Sequence, residues 1–262
     1  MTTVETFTSL SRAEAARGRV IGGGTLLMRQ VNAAPQTVPV LVRITDPVLR
    51  DIRGDGAALV IGAGVSMTDI ATHPDLAVLA PVARAIGGPA LRNMATLGGN
   101  LFAPPPYGDL TVALLALGAR VIWAGDRQED LESFLRTRDQ ARGIVQAVRL
   151  PRVPPDALRF RKVSRTRPKG VSVLSIAACL EFSGSRVAKA RLAFGAMGPT
   201  PLRAKSAEAA LQGVPLDAAG VAAACAVCTR ELAPRDDALA SAWYRTEVAP
   251  VHLRRCLLGE HR

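Results

Sequence analysis

The sequence predicts an α+β protein in two parts, and three observations carry that prediction. Short strand-like and helix-like segments alternate as far as about residue 150. The stretch Pro151-Arg152-Val153-Pro154-Pro155 then breaks the pattern and stiffens the chain, as a connection between units would. Beyond it strand-like segments come first and alanine-rich helical segments follow. That is the order of a segregated antiparallel sheet with helices rather than of a doubly wound parallel one. With 262 residues, 48% of them hydrophobic and 21% charged, the chain can bury a substantial core.

Taken in order, Ser11 to Arg17 reads as a helix, with Ser11 as its N-cap and Glu14 in the capping-box position. Arg19-Val20-Ile21 is a short strand running into a glycine loop, Gly22-Gly23-Gly24-Thr25. Val38 to Ile44 is a second strand, and Asp46-Pro47 starts a turn. Leu59 to Gly64 is a buried strand, followed by a short helix over Met67 to Thr72 with Ser66 or Thr68 near its cap. Apolar residues at helical spacing from Leu76 to Ile86 predict a helix ended by Gly87-Gly88. A second glycine-rich loop, Arg92-Asn93-Met94-Ala95-Thr96-Leu97-Gly98-Gly99-Asn100-Leu101, follows directly. Asp109 precedes a compact apolar helix from Leu110 to Leu117, stopped by Gly118. Arg120 to Trp123 is a strand, Leu131 to Arg136 a helix, and Gly143 to Leu150 a strand ended by Pro151. In the second part, Arg159 to Val163, Ser172 to Phe182 and Val187 to Phe194 read as antiparallel strands, with a turn at Ser183-Gly184-Ser185. Ala204 to Gln212 and Ala218 to Leu232 read as helices.

Composition and motifs exclude several functions. No apolar run reaches membrane-spanning length, and the first twenty residues have neither a basic start before an apolar core nor a cleavage site, which predicts a cytoplasmic protein with no membrane insertion. The net charge of +11 invites a nucleic-acid reading, but the arginines are spread along the chain, the richest cluster is short, and only 4% of residues are aromatic. An anionic cofactor or acidic partner subunits use the same positive field. His73, His252 and His261 read as surface residues, none beside a Ser or Cys in a nucleophile elbow. Cys225 and Cys228 can be read as a redox or metal pair, but an Ala/Val-rich helical setting with no second pair favours buried thiols.

Glycine loops let backbone N–H groups approach phosphate oxygens with no Cβ in the way, and two of them point to one elongated anionic ligand held from two sides. Neither matches a dinucleotide fingerprint. Leu27 occupies the third glycine position after Gly22 and Gly24, no helix opening is clear there, and no Gly-Lys-Ser/Thr ending is present. Taken alone, the two loops read more readily as structural turns than as a ligand site.

The segment RNMATLGGNL closely resembles the signature of the flavin-binding medium subunit of molybdenum-containing hydroxylases, the xanthine dehydrogenase and carbon monoxide dehydrogenase group. Gly22 to Leu27 is similar to that family's first flavin loop, and LVIGAGVSMTDI (59–70) to its strand and turn before a helix. Asp109 with the following VALLALGARV, the run Ala193 to Ala204, and Tyr244-Arg245 also resemble family signatures, so the resemblance covers nearly the whole chain in order.

The resemblance implies a two-part FAD-binding module of the vanillyl-alcohol oxidase type over residues 1–155, subdivided near 55–60, followed by a small C-terminal α+β domain over 156–262 with an antiparallel sheet and helices. By the same resemblance, Gly22, Gly23, Gly24, Thr25 and Leu26, with Thr96, Leu97, Gly98, Gly99 and Asn100, would line the FAD diphosphate through backbone N–H groups, helped by the Thr25 and Thr96 hydroxyls. Asp109 would accept hydrogen bonds from sugar or ribityl hydroxyls, and Arg165, Arg167 and Lys205 would approach the flavin or its phosphates. The implied activity is that of an electron-transferring oxidoreductase subunit without a catalytic acid or base of its own. A large partner would hold the molybdenum cofactor and a small partner two [2Fe-2S] clusters, in a dimer of heterotrimers delivering electrons to NAD or another acceptor. Two other readings are a stand-alone flavin oxidase or reductase and a non-enzymatic basic binding protein. Leu26 stands where the family often has Asp, and Thr25 where a covalent flavin link would need His.

Overall fold

A computed structural model describes residues 2–166 and 170–260. Arg167, named above with Arg165, and His261 lie outside the described residues. The first unit contains β1 (Thr3–Phe7), α1 (Leu10–Ala13), β2 (Arg19–Ile21), α2 (Leu27–Ala33) and β3 (Val40–Ile44). Its three strands form a parallel sheet in the order β1-β3-β2. The helix predicted from Ser11 to Arg17 is α1, which starts earlier and is shorter. The Asp46 carboxylate takes the Leu10 N–H at 2.8 Å, and the Ser9 and Ser11 hydroxyls bond to each other instead of capping. Asp46 also accepts the Val48 N–H, so the predicted turn is a 3₁₀ turn over Pro47–Arg50. A helix, α2, does open directly after the first glycine loop, contrary to the sequence reading.

The second unit runs through β4 (Ile52–Asp55), β5 (Ala58–Gly62), α3 (Met67–Thr72), α4 (Ala80–Arg84), α5 (Pro89–Met94), α6 (Leu97–Leu101), α7 (Asp109–Ala116), β6 (Arg120–Trp123), β7 (Gln128–Asp130), α8 (Leu131–Thr137) and β8 (Val145–Pro151). Its five strands are antiparallel, in the order β4-β5-β8-β6-β7. The helix predicted from Leu76 to Ile86 is broken. Pro81 has no N–H and its ring would meet the carbonyl of Ala77, so the chain restarts as α4 with Pro81 in the first turn.

The third unit contains β9 (Leu158–Ser164), β10 (Ser172–Ser183), β11 (Arg186–Gly195), β12 (Leu202–Arg203), α9 (Lys205–Ala210), α10 (Ala222–Val227) and α11 (Ala242–Leu258). The antiparallel sheet runs β12-β11-β10-β9, and α9, α10 and α11 pack on one face through Ala207, Ala224, Ala249, Leu253 and Leu257. The long helix predicted from Ala218 to Leu232 shrinks to α10, because Asp217 accepts the Gly220 N–H and holds a turn where alanine propensity alone would continue a helix.

One element joins the second and third units. All eight residues of α7 are buried, as expected of a helix apolar on every side. Its cluster takes in Ala177 of β10 and Ala193 of β11, so the core is continuous across the proline-rich connection. Beside this contact, the Asp109 carboxylate accepts the Ser172 hydroxyl at 2.7 Å and pairs with Lys162 at 2.9 Å.

Candidate functional site

The first glycine loop leaves the end of β2 and turns into α2. Gly24 has φ +70, a left-handed conformation that a side chain disfavours, and its carbonyl accepts the Met28 N–H at 3.0 Å. None of the N–H groups of residues 22–26 donates to an acceptor among the described residues. These groups are therefore free to bind something else.

The second glycine segment, read from sequence as a loop, is a capped turn of helix. Thr96 is the N-cap of α6, and its Oγ1 accepts the Gly99 N–H at 3.1 Å. The Leu97 N–H donates to Val65 O at 2.9 Å, the Gly98 N–H to Ala63 O at 2.7 Å, and the Asn100 N–H to Thr96 O at 3.0 Å. All four N–H groups of residues 97–100 are thus committed within the protein. The Thr96 hydroxyl, an acceptor here, keeps its own proton to donate. Asn100 ties the segment to α7 by accepting the Thr111 N–H on Oδ1 at 2.9 Å. Buried Arg138 donates to the carbonyls of Leu101 and Ala103 and fixes the far end.

The fold brings the two segments into contact. A Cβ on Gly23 would lie 1.5 Å from Met94 O, and one on Gly22 would lie 2.5 Å from Thr96 Oγ1. Between them opens a cleft of ≈ 470 Å³ whose walls include Gly22, Gly23 and Thr96 of the predicted site. Gly64, Ser66, Thr68 and Asp69, from the turn before α3 and its first residues, line it too, as do Asn93 and Met94. Ser66 and Asp69 form a capping box, and Thr68 donates to Asn93 Oδ1 at 2.6 Å, so α3 and α5 are locked together along this wall. Arg50 completes the lining. The sequence reading placed Ser66 and Thr68 only as caps. Arg50 and Asn93 carried no site signal, because what brings them here is the packing of the 3₁₀ turn and α5.

The remaining predicted residues lie elsewhere. Asp109 is 6% exposed, and its two oxygens serve Ser172 and Lys162. Lys205 is an exposed residue paired with Glu132 at 2.7 Å. Arg165 borders a separate cavity of ≈ 280 Å³ beside Ser164, Ser241 and Tyr244. Cys228 is buried and Cys225 half-buried, and burial, reinforced by Cys225, pushes the Cys228 thiol up to about 12. Among the described residues no group of His, Cys, Asp and Glu is arranged to hold a metal ion.

A cradle of free glycine N–H groups with hydroxyls on the facing wall fits a diphosphate, since such groups satisfy anionic oxygens without a bulky side chain. Comparison with known proteins identifies the ligand class. Residues 1–153 match the family described as the FAD binding domain in molybdopterin dehydrogenase, and residues 159–259 match the CO dehydrogenase flavoprotein C-terminal domain.

The chain belongs to this flavoprotein family.

The flavoprotein is 29% identical over 253 residues to the carbon monoxide dehydrogenase medium chain of Afipia carboxidovorans, covering 90% of this chain and 86% of that one. It is 30% identical over 216 residues to the nicotinate dehydrogenase FAD-subunit of Eubacterium barkeri, covering 75% and 72% respectively. Among solved structures it is similar to quinoline 2-oxidoreductase from Pseudomonas putida 86, with a TM-score of 0.89 and 25% identity over 99% of this chain and 96% of the other. The flavoprotein is an oxidoreductase component, with the FAD-binding module first and the C-terminal domain second. No helix among the described residues is long and apolar enough to cross a membrane.

Proposed function

We propose that this chain is the FAD-carrying electron-transfer subunit of a heterotrimeric molybdenum hydroxylase. The observation that carries the reading is the meeting of the two glycine segments at one cleft, with the N–H groups of residues 22–26 uncommitted and the Thr96 hydroxyl against Gly22. Bound FAD supplies exchange of electrons between single-electron clusters and an acceptor such as NAD. The chain's own part is to bind and orient. The N–H groups of Gly22, Gly23, Gly24, Thr25 and Leu26 donate to the diphosphate, and the Thr96 hydroxyl donates from the facing wall. Leu97, Gly98, Gly99 and Asn100 act as the rigid back of that wall. Asp109 holds the C-terminal domain against the module, with the division at residues 155/156, and Arg165 and Lys205 act outside the diphosphate cradle.

Substrate oxidation takes place on a large partner with the molybdenum cofactor, and electrons come from the two [2Fe-2S] clusters of a small partner, in a cytoplasmic dimer of heterotrimers. Relatives named as medium chain and FAD-subunit, matched over most of both lengths, support a role as one subunit among several. Co-purification of the full chain with its partners, followed by flavin, iron and molybdenum analysis, tests the reading. Flavin together with both metals in one complex is the expected result. A complex with no flavin, or a chain that turns over substrate with no partner, overturns it.

A further inference from the structure

The cleft between the glycine segments contains a charged group that neither loop supplies. Arg50 ends the 3₁₀ turn Pro47–Arg50 and lines the cleft with Gly22, Gly23 and Thr96. It is exposed, and its guanidinium makes no hydrogen bond or ion pair with the described residues. Two arginines close to this cleft in sequence, Arg53 and Arg92, are engaged instead. Arg53 pairs with Asp51 at 3.0 Å, and Arg92 donates to the carbonyls of Arg84, Ile86 and Gly87.

Among the described residues that line the cleft, Arg50 is the only cation and Asp69 the only carboxylate. Asp69 Oδ2 accepts the Ser66 N–H at 3.1 Å and the Ser66 hydroxyl at 2.7 Å, which holds the carboxylate in place but leaves its charge. An anionic ligand entering this cleft meets repulsion from Asp69, and only Arg50 offsets it. A free guanidinium suits that task, because its planar fork of donors matches two phosphate oxygens at once.

We propose that Arg50 is the counter-ion of the FAD diphosphate, adding a charged contact to the neutral N–H donors of residues 22–26. The proposal rests on the reading above that this cleft takes FAD. Arg50 sets affinity for the diphosphate and has no part in the fold, since it is exposed and bonded to nothing in the described chain.

The test is titration of flavin-free full chain with FAD, at low and at high salt, for the wild type, Arg50→Gln and Arg50→Lys, with thermal unfolding as the folding control. Arg50→Gln is expected to weaken FAD binding about tenfold at low salt, the size of one charge-assisted contact at a solvated site. The difference shrinks at high salt because the contact is screened. Arg50→Lys recovers most of the loss, and all three proteins unfold at the same temperature. Equal FAD affinity in the wild type and Arg50→Gln overturns the role of Arg50 while leaving the cleft's assignment intact, as does a tenfold loss that salt does not change. A folded wild type that binds no FAD overturns the functional reading and this proposal with it.

Discussion

The two glycine segments have similar composition and opposite hydrogen-bond states. Residues 22–26 keep their N–H groups free, whereas residues 97–100 have spent theirs on Val65, Ala63 and Thr96. The difference comes from what precedes each segment. The first follows an exposed strand, β2, and packs near Met94, Ala95 and Thr96 without donating an N–H to any of them. The second follows α5 and docks on the turn between β5 and α3, where the carbonyls of Ala63 and Val65 are waiting. Glycine therefore does two jobs here. In the first segment it exposes backbone to a ligand, and in the second it permits close packing that fixes the wall facing that ligand.

Substitutions separate these jobs, and the largest effect belongs to the anchor behind the second segment. Asp109→Ala leaves Lys162, with a side chain only 11% exposed, without its carboxylate. Breaking a buried pair in this way costs about 3–5 kcal/mol, to be read as a drop in the urea midpoint of unfolding. Gly23→Ala comes next. Its Cβ would lie 1.5 Å from a backbone oxygen, which cannot swing aside, so the two segments must part at a cost of about 3 kcal/mol, and flavin should be lost on gel filtration. Thr96→Val removes the cap of α6 and is expected to cost about 1 kcal/mol in stability and to weaken flavin retention, checked by the same two measurements. Gly99→Ala should be the mildest. Gly99 is exposed, the new Cβ would meet Thr96 Oγ1 at 3.2 Å, and the helix gains from alanine, so stability should stay within about 0.5 kcal/mol and flavin content should not change. If Gly99→Ala proved as damaging as Gly23→Ala, the contrast between the segments would be wrong.

Much of the fold was legible because it depends on local signals. β2, β6 and α3 have the predicted limits, and the three long strands of the C-terminal sheet lie within one or two residues of theirs. What was missed depends on distant partners. β1 alternates no apolar residues and forms only because β3 offers it a parallel edge. The seventeen-residue α11 carries Pro250, which disfavours a helix interior, and it holds together because Ala249, Leu253, Cys256 and Leu257 are buried in the core it shares with the C-terminal sheet. The site divides in the same way. The glycines and Thr96 could be found because their residue types carry the chemistry. The commitment of the N–H groups of residues 97, 98 and 100 could not, because their acceptors are carbonyls, which every residue has. Asp109 was recognised as important, but its partners Lys162 and Ser172 are more than fifty residues away in sequence.

Amide hydrogen exchange on the full chain, with and without FAD, tests the contrast most directly. The account predicts that the amides of residues 22–26 exchange freely in the flavin-free protein and become protected when FAD binds, while those of residues 97–100 are protected in both states. Protection appearing at 97–100 with none at 22–26 would contradict it.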